Sequence, residues 1–204
     1  MKHFINIKDV PYKKLRKILS DTKKRKDLRK KLKTLEIDKD NPLKGILLIQ
    51  MFEKSSLRTR LSFYLAIRQL GGSALTLRPD ELHLSKGGES LSDTAKILST
   101  YGDIFVLRTD NEKKLNTFKK FLSIPLINGL SPNSHPAQIL SDIFTIEEIT
   151  KKNISRLNIC WIGDSNNVLN SLIEASIKFS FKLNIGCPKN YSPPNEMLTM
   201  IRQK

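Results

Sequence analysis

The chain has 204 residues, of which 39% are hydrophobic and 7% aromatic, and its formal net charge is +16 at pH 7. That apolar content suffices for a packed core and excludes the disordered class, which is poor in apolar residues. No run of 18 apolar residues occurs, so we expect no membrane span. The start, MKHFINIKDV, lacks the apolar segment of a secretory signal, so we expect a cytoplasmic protein.

The first predicted elements are two basic helices. Thirteen of the 36 Lys and Arg residues lie between Lys8 and Lys33, and such a cluster can mark a nucleic-acid surface. Apolar residues recur there with helical spacing in two groups. The groups are Leu15, Ile18 and Leu19, and then Leu28, Leu32 and Leu35. Because Tyr12 is the single aromatic residue available for base stacking, we favour amphipathic helices with solvated basic faces over a nucleic-acid partner.

From residue 45 onward, short apolar runs alternate with helical patterns. A helix ending at Leu70 follows the first run, and Gly71-Gly72 provides its C-terminal stop. Alternation of this kind predicts an α/β fold, a parallel sheet with helices on both faces. The predicted strands are 45–52, 73–77, 103–108 and 124–128, and the later helices are 91–101, 115–122 and 135–149.

A second α/β unit begins after a polar stretch at 151–157. Its predicted elements are a strand at 158–163, a helix at 168–179 and a strand at 181–185. We therefore predict a first domain at 1–150 and the start of a second domain at 151–204. Because the second is shorter than an ordinary domain of ~100–150 residues, we expect the apolar face of helix 168–179 to be exposed.

The cysteine and histidine content predicts neither disulfides nor metal sites. Cys160 and Cys187 lie in apolar, strand-like segments, so we expect buried, reduced thiols. His3, His83 and His135 lack the spacing of metal ligands. The glycines form neither a GxGxxG nor a Walker motif.

The most informative segment follows the first predicted strand. It reads Ser55-Ser56-Leu57-Arg58-Thr59-Arg60 and directly precedes a helical pattern. Hydroxyls and backbone N–H groups at a helix start hold phosphate oxygens, and arginine adds a planar fork of donors. The segment predicts a phosphate site, although an ordinary helix cap with surface arginines is the alternative.

Further polar residues follow other strand ends, where ligands of parallel sheets bind. Arg108 ends the third predicted strand, and a surface ion pair is its alternative role. His135 and Gln138 lie three positions apart at a helix start and so share one face, although a structural cap is possible on the sequence alone. We expect these residues and the phosphate segment to converge on one sheet edge.

Two further segments carry polar residues in loops. His83 lies in the glycine-rich segment 82–90, where a solvated loop histidine is the alternative. Asn167 ends Gly163-Asp164-Ser165-Asn166-Asn167, and the alternative there is a strand-to-helix turn with an asparagine cap.

In this order, the segments 56–60, 135–138 and 163–167 resemble the motifs of the aspartate/ornithine transcarbamoylase family, and most closely its ornithine carbamoyltransferases. The resemblance implies transfer of a carbamoyl group from carbamoyl phosphate to L-ornithine by a homotrimer without a cofactor. It implies that His135 donates to the carbonyl oxygen, that Gln138 contacts the carbamoyl amide, and that Asn167 contacts ornithine. It assigns carbamoyl phosphate to Ser56, Leu57, Arg58, Thr59, His83, Arg108, His135 and Gln138, with Arg58, Arg108 and His135 as catalytic residues.

The chain departs from the family pattern at three places. Leu57 stands where the family has threonine, and the segment around His83 is one residue longer than usual. The acidic ornithine contact, the Ser-Met-Gly and His-Cys-Leu-Pro loops and the late arginine do not follow Asn167. The resemblance is therefore to a transcarbamoylase truncated at the C-terminus.

Three hypotheses follow from these departures. The chain is an enzyme whose remaining part lies elsewhere, a catalytically inactive carbamoyl-phosphate-binding remnant, or a basic RNA-associated protein. A related carbamoyltransferase with another acceptor amine is a further alternative. We expect the 204-residue chain alone not to make citrulline at a useful rate, because positioning of the amine supplies ~7–11 kcal/mol of the barrier reduction.

Overall fold

The computed structural model describes residues 3–78 and 90–202. These residues form two compact units. The first contains residues 3–4 and the described part of Lys24–Ser131, and the second contains Ile5–Lys23 and residues 132–202. The first helix, α1 (Tyr12–Leu28), continues from the second unit into the first.

The first unit is built on a four-stranded parallel sheet. Its strands have the order β2-β1-β3-β4, and Phe4 adds a parallel bridge to Ile127. The strands are β1 (Leu47–Phe52), β2 (Ser73–Leu77), β3 (Ile104–Arg108) and β4 (Leu126–Leu130). The helices between them are α2 (Leu57–Gln69), α3 (Leu91–Tyr101) and α4 (Glu112–Phe121). The predicted α/β fold is confirmed.

The two central strands, β1 and β3, are apolar except for Gln50 and Arg108, because the sheet is covered on both faces. Met51 of β1 and Phe105 and Leu107 of β3 are completely buried. Phe105 also packs on Phe118 of α4, with ring centroids 5.2 Å apart. The core therefore fixes the two strands from which the candidate site emerges.

Local sequence explains two shifted boundaries. β4 covers Leu126–Leu130 rather than the predicted 124–128, because Pro125 has no N–H to donate to the sheet and contributes only its carbonyl, to the Phe105 N–H at 2.9 Å. α4 begins at Glu112 rather than 115, because the Asn111 side chain accepts a hydrogen bond from the Lys114 N–H and caps the helix.

The second predicted basic helix is wrong. After α1 ends at Leu28 the chain forms a short 3-10 turn, Arg29–Lys31, and Leu35 is exposed. The chain instead folds back on α1, because the buried carboxylate of Asp38 accepts hydrogen bonds from Arg25 at 2.7 Å and from Arg29. The Arg29 guanidinium also donates to the backbone carbonyl of Glu36 at 2.9 Å.

In its described residues, the second unit contains a two-stranded parallel sheet and four α-helical segments. Its strands are β5 (Asn158–Ile162) and β6 (Lys182–Gly186). The helices are the start of α1 together with α5 (Pro136–Thr150), α6 (Asn167–Phe179) and α7 (Asn195–Arg202).

The expectation of an exposed apolar face on helix 168–179 is wrong. Most of α6 is buried, because it packs on α5 and because its last residue, Phe179, meets the ring of Tyr12 edge-on at 5.8 Å. A strongly exposed apolar side chain of this unit lies instead on β5, where Ile162 is 86% exposed.

The expectation of buried thiols is also wrong. Cys160 is exposed and Cys187 is half-buried, and both are free cysteines. Alternate residues of β5 and β6 are exposed, in contrast to the buried strands β1 and β3. Cys160 lies on an exposed position of that alternation because side chains of a strand point to opposite faces in turn.

Within residues 3–78 and 90–202, no helix is long and apolar enough to cross a membrane. In the same residues, no group of three or more His, Cys, Asp or Glu side chains could hold a metal ion.

A buried carboxylate on α6 connects the helix to the N-terminal segment. The Glu174 side chain is 6% exposed, accepts a hydrogen bond from the Lys8 N–H at 3.1 Å and lies 3.8 Å from the Lys8 ammonium. Burial raises the pKa of Glu174 above its usual value, and the nearby charge of Asp9 acts in the same direction.

We predict that Glu174→Gln raises the melting temperature more at about pH 8 than at about pH 4. A carboxyl whose pKa is raised by folding costs nothing below its unfolded pKa, and the cost develops as pH rises through the folded pKa. Glutamine removes the charge and keeps an oxygen that accepts the Lys8 N–H. Thermal unfolding at both pH values measures the difference.

Asp93 is the control with the opposite sign. Hydrogen bonds from Ser90 and then Lys96 lower its pKa, so its contribution is present at high pH and is lost as pH falls. Asp93→Asn should therefore cost more stability at about pH 8 than at about pH 3. A pH-independent gain for Glu174→Gln would contradict the burial argument.

Candidate active site

The segment Ser56–Arg60 forms the start of α2, directly after β1. Ser56 is the N-cap residue, with extended backbone angles of φ −154° and ψ 96°, and its hydroxyl makes no capping hydrogen bond. The positive end of a 13-residue helix and an uncommitted hydroxyl therefore occur at the same turn. Such a turn suits an anion with several acceptor oxygens.

The arginines of this segment are exposed. Arg58 and Arg60 both lie in the first turn of α2 and both are exposed. Neither guanidinium forms an ion pair with a described residue. Their charge is consequently not neutralised locally, unlike that of Arg25, which pairs with Asp38 and Asp40.

Arg108, at the end of β3, is a partly buried cation with no ion pair to a described carboxylate. Its Nη1 donates to the Thr59 hydroxyl at 3.4 Å, and its buried Nε has no hydrogen-bond partner among the described residues. Burial lowers the pKa of Arg108, and no described carboxylate offsets that effect. A desolvated guanidinium with a spare donor is suited to a bound oxyanion.

Sheet register explains why Arg108 and Thr59 meet. Phe52 at the end of β1 pairs with Arg108, and Arg108 pairs with Leu130 of β4 after a register shift at Leu107/Arg108. Parallel strands present their carboxyl ends at the same edge. The residues that follow β1 are therefore adjacent to Arg108 although 49 positions separate Thr59 from it.

Glu53 fixes this turn and was missed by the sequence reasoning. Its carboxylate accepts hydrogen bonds from the Thr109 hydroxyl and the Lys114 ammonium, and its N–H donates to the Arg108 carbonyl at 3.0 Å. Thr109 is completely buried. An acidic residue immediately before a cationic anion-binding segment is the signal that could have identified it.

His135 is the N-cap of α5 in the second unit. Its ring is largely buried, its side chain makes no capping hydrogen bond, and Pro136 occupies the first helical position. The backbone N–H of His135 donates to the Ser171 hydroxyl of α6 at 2.9 Å. The His135 side chain therefore does not cap α5, and the alternative of a structural cap is wrong.

Gln138 lies in the first turn of the same helix. Its Nε2 donates to the Asp142 carboxylate at 2.8 Å, and burial raises the pKa of Asp142. Because a carboxylate only accepts, this bond fixes the orientation of the amide and leaves the Gln138 Oε1 as the acceptor toward a ligand. Asp142 was also missed, since its role depends on the i, i+4 spacing within a helix.

Asn167 is the first residue of α6 and not its cap. The cap is Asn166, whose side chain accepts from the N–H groups of Val168 and Leu169 at 2.9 and 3.2 Å. Gly163 has φ +139°, a conformation open to glycine, where the chain leaves β5. The predicted capping alternative thus applies to Asn166 and not to Asn167.

The predicted site residues are consequently distributed over both units. Arg108 and Thr59 are in contact in the first unit, beside Ser56, Leu57 and Arg58. His135, Gln138 and Asn167 belong to the second unit. His83 lies outside the described residues. The roles of these residues remain predictions.

Comparison with known proteins identifies the family. Residues 2–148 match the carbamoyl-P binding domain of aspartate/ornithine carbamoyltransferase, and residues 155–204 match its Asp/Orn binding domain. The chain belongs to the aspartate/ornithine carbamoyltransferase family.

Individual relatives agree with this assignment. The chain is 39% identical over 201 residues to the ornithine carbamoyltransferase of Rhizorhabdus wittichii, covering 98% of this chain and 64% of the relative. The solved ornithine carbamoyltransferase of Pyrococcus furiosus superposes with a TM-score of 0.90 at 34% identity, covering 99% of this chain and 62% of that one. A catalytic subunit of M. jannaschii aspartate transcarbamoylase gives a TM-score of 0.81 at 30% identity, with 100% and 66% covered.

We predict that inorganic phosphate raises the melting temperature and that Arg58→Ala and Arg108→Met abolish the rise. A ligand that binds only the folded chain stabilises it by RT ln(1 + [L]/Kd), so the melting temperature should keep rising with phosphate concentration. Arg108→Met should also raise the melting temperature in anion-free buffer, because it removes a desolvated and uncompensated cation. Thermal unfolding across a phosphate titration measures both effects.

Leu57→Thr should increase the affinity for phosphate. It restores one hydroxyl at an exposed position, and a net hydrogen bond of roughly 0.5–1.5 kcal/mol corresponds to about 2- to 12-fold tighter binding. Arg156→Met, at an exposed arginine of the second unit, is the control and should leave the phosphate response unchanged. An unchanged phosphate response in Arg58→Ala would rule this anion site out.

Proposed function

We propose that the chain carries the carbamoyl-phosphate-binding part of an ornithine carbamoyltransferase, which converts carbamoyl phosphate and L-ornithine to L-citrulline and phosphate. The observation that supports this most strongly is the Arg108 guanidinium, which is partly buried, unpaired with any described carboxylate and bonded to Thr59 beside the uncommitted Ser56 hydroxyl. The names of the relatives supply the reaction.

In this proposal the first unit binds the phosphate group. The hydroxyls of Ser56 and Thr59, the backbone N–H of Leu57 and the guanidiniums of Arg58 and Arg108 donate to its oxygens. The same donors stabilise the negative charge that grows on phosphate as it leaves. Preorganised donors of this kind are commonly worth about 2.7–4 kcal/mol of barrier when one is removed.

The resemblance to the family suggests the groups that recognise the carbamoyl part. His135 and Arg108 donate to the carbonyl oxygen, and the Gln138 Oε1, fixed by Asp142, accepts from the carbamoyl amide. The neutral amine of the acceptor attacks the polarised carbon. A C–N bond forms, the bond from that carbon to the phosphate oxygen breaks, and the amine loses one proton.

The acceptor is proposed to be ornithine, contacted by Asn167. Both ornithine and aspartate enzymes share this fold, so the fold comparison does not select the acceptor. The choice rests on the segment Gly163–Asn167, which resembles that of ornithine enzymes, and on the ornithine carbamoyltransferase names among the relatives. An inactive carbamoyl-phosphate-binding remnant is the less favoured alternative.

The resemblance also motivates proposals about organisation. We propose that the boundary between the two domains lies near residue 150. We also propose that the protein catalyses a step of arginine biosynthesis in the cytoplasm. It would act as a homotrimer in which His83 reaches the active site of a neighbouring subunit. The chain spans 62–64% of the length of curated relatives that it matches, so these are proposals about the whole protein. Sedimentation velocity at micromolar concentration should show a trimer, and a strictly monomeric species would contradict it.

The decisive experiment is a carbamoyl-transfer assay with three acceptors. Purified chain is incubated with carbamoyl phosphate and with ornithine, aspartate or putrescine, alone and with the remaining third of the Rhizorhabdus wittichii relative expressed separately. We expect citrulline as the product, formed efficiently only in the second case because positioning of the amine supplies much of the rate acceleration. Carbamoyl-aspartate or carbamoyl-putrescine as the main product would change the acceptor, and carbamoyl phosphate binding without transfer in both cases would favour the remnant.

A further inference from the structure

The backbone ahead of α5 is held by side chains of α6. The buried N–H of His135 donates to the Ser171 hydroxyl at 2.9 Å, and the Asn170 Nδ2 donates to the Asn133 carbonyl at 3.1 Å. Ser171 is completely buried. Asn170 and Ser171, which are adjacent in α6, thus hold the Asn133 carbonyl and the His135 N–H.

The same two residues share a helix face with Asn167. Positions i, i+3 and i+4 of an α-helix lie on one face, and Asn167, Asn170 and Ser171 have this spacing in α6. The Asn166 cap and the buried residues Leu169 and Phe179 hold the helix in place. A change in the position of the first turn of α6 therefore moves the groups that hold His135.

The hydrogen bond to Ser171 is important because of where it lies. A buried N–H that loses its acceptor carries a desolvation cost, so the backbone of His135 cannot leave the Ser171 hydroxyl without penalty. The imidazole follows its own backbone, and small displacements of a polarising group reduce its effect strongly.

We propose that Ser171, assisted by Asn170, is a positioning residue that couples the acceptor contact at Asn167 to the carbonyl-polarising His135. Ordering of the first turn of α6 by the acceptor amine then also sets the position of the imidazole. This inference rests on the roles that the proposed function gives to Asn167 and His135.

The test compares Ser171→Ala with Ser176→Ala. Ser176 is a buried serine of the same helix, but its hydroxyl donates to the Ile173 carbonyl, within α6 itself, at 2.8 Å. The readouts are affinities for inorganic phosphate and carbamoyl phosphate by calorimetry, and the imidazole signals of His135 by NMR. A His135→Gln spectrum assigns those signals among the three histidines of the chain.

We expect Ser171→Ala to bind phosphate as the unmodified chain does, because phosphate contacts only the first unit in the proposal. Its affinity for carbamoyl phosphate should fall roughly fivefold or more, the equivalent of one lost hydrogen bond of about 1 kcal/mol or greater. L-Ornithine should shift the His135 signals in the unmodified chain and in Ser176→Ala, and should no longer shift them in Ser171→Ala.

Asn170→Leu gives a second test that does not depend on a buried serine. It removes the donor to the Asn133 carbonyl from a half-buried position and should reduce the ornithine-induced shift of the His135 signals. If Ser171→Ala and Asn170→Leu keep the carbamoyl phosphate affinity and the His135 response of Ser176→Ala, the coupling is overturned. Failure of the proposed function would look different, because the unmodified chain would then bind carbamoyl phosphate no better than phosphate.

Discussion

The parallel pairing of β1 with β3 is the constraint on which the first unit depends. It places Phe52 opposite Arg108, so the turn that follows β1 meets the guanidinium that ends β3. The Glu53 N–H bond to the Arg108 carbonyl extends that pairing by one residue beyond β1. Because side chains of a strand alternate between faces, a slip of one residue would turn Arg108 away from Thr59. The anion-binding character of the turn is thus a consequence of sheet register.

The arginines of this protein differ in whether a carboxylate neutralises them. Arg25 and Arg29 are neutralised by Asp38 and Asp40, and Arg16 forms an ion pair with Glu147 at 2.8 Å. These pairs hold α1 and the segments that contact it. By contrast, Arg58, Arg60 and Arg108 have no described carboxylate partner, and the pKa of Arg108 is lowered by burial. A net charge of +16 therefore does not locate a binding site. Three guanidiniums without a described carboxylate partner around one helix start indicate where an anion binds.

In the second unit, α6 connects features that are distant in the sequence. Its first residue is Asn167, Asn170 and Ser171 hold the segment before α5, and Glu174 holds the N-terminal segment through Lys8. These buried hydrogen bonds give α6 a role besides packing on β5 and β6. Buried polar groups of this kind are costly unless every one is satisfied, so their presence indicates a requirement for a defined geometry.

The sequence by itself determined the α/β fold, most strand positions and the family. Hydrophobic runs and glycine stops are local signals, and the segments 56–60, 135–138 and 163–167 are contiguous motifs that can be recognised without a structure. Only the tertiary structure decided that residues 29–35 do not form an α-helix, that most of α6 is buried and that Cys160 is exposed. It also identified Glu53, Asp142 and Ser171, because the role of each depends on a partner contributed by another turn or another element. Helical periodicity in a single segment cannot anticipate that Asp38 will capture Arg29, since the gain comes from a contact that exists only once the chain has folded.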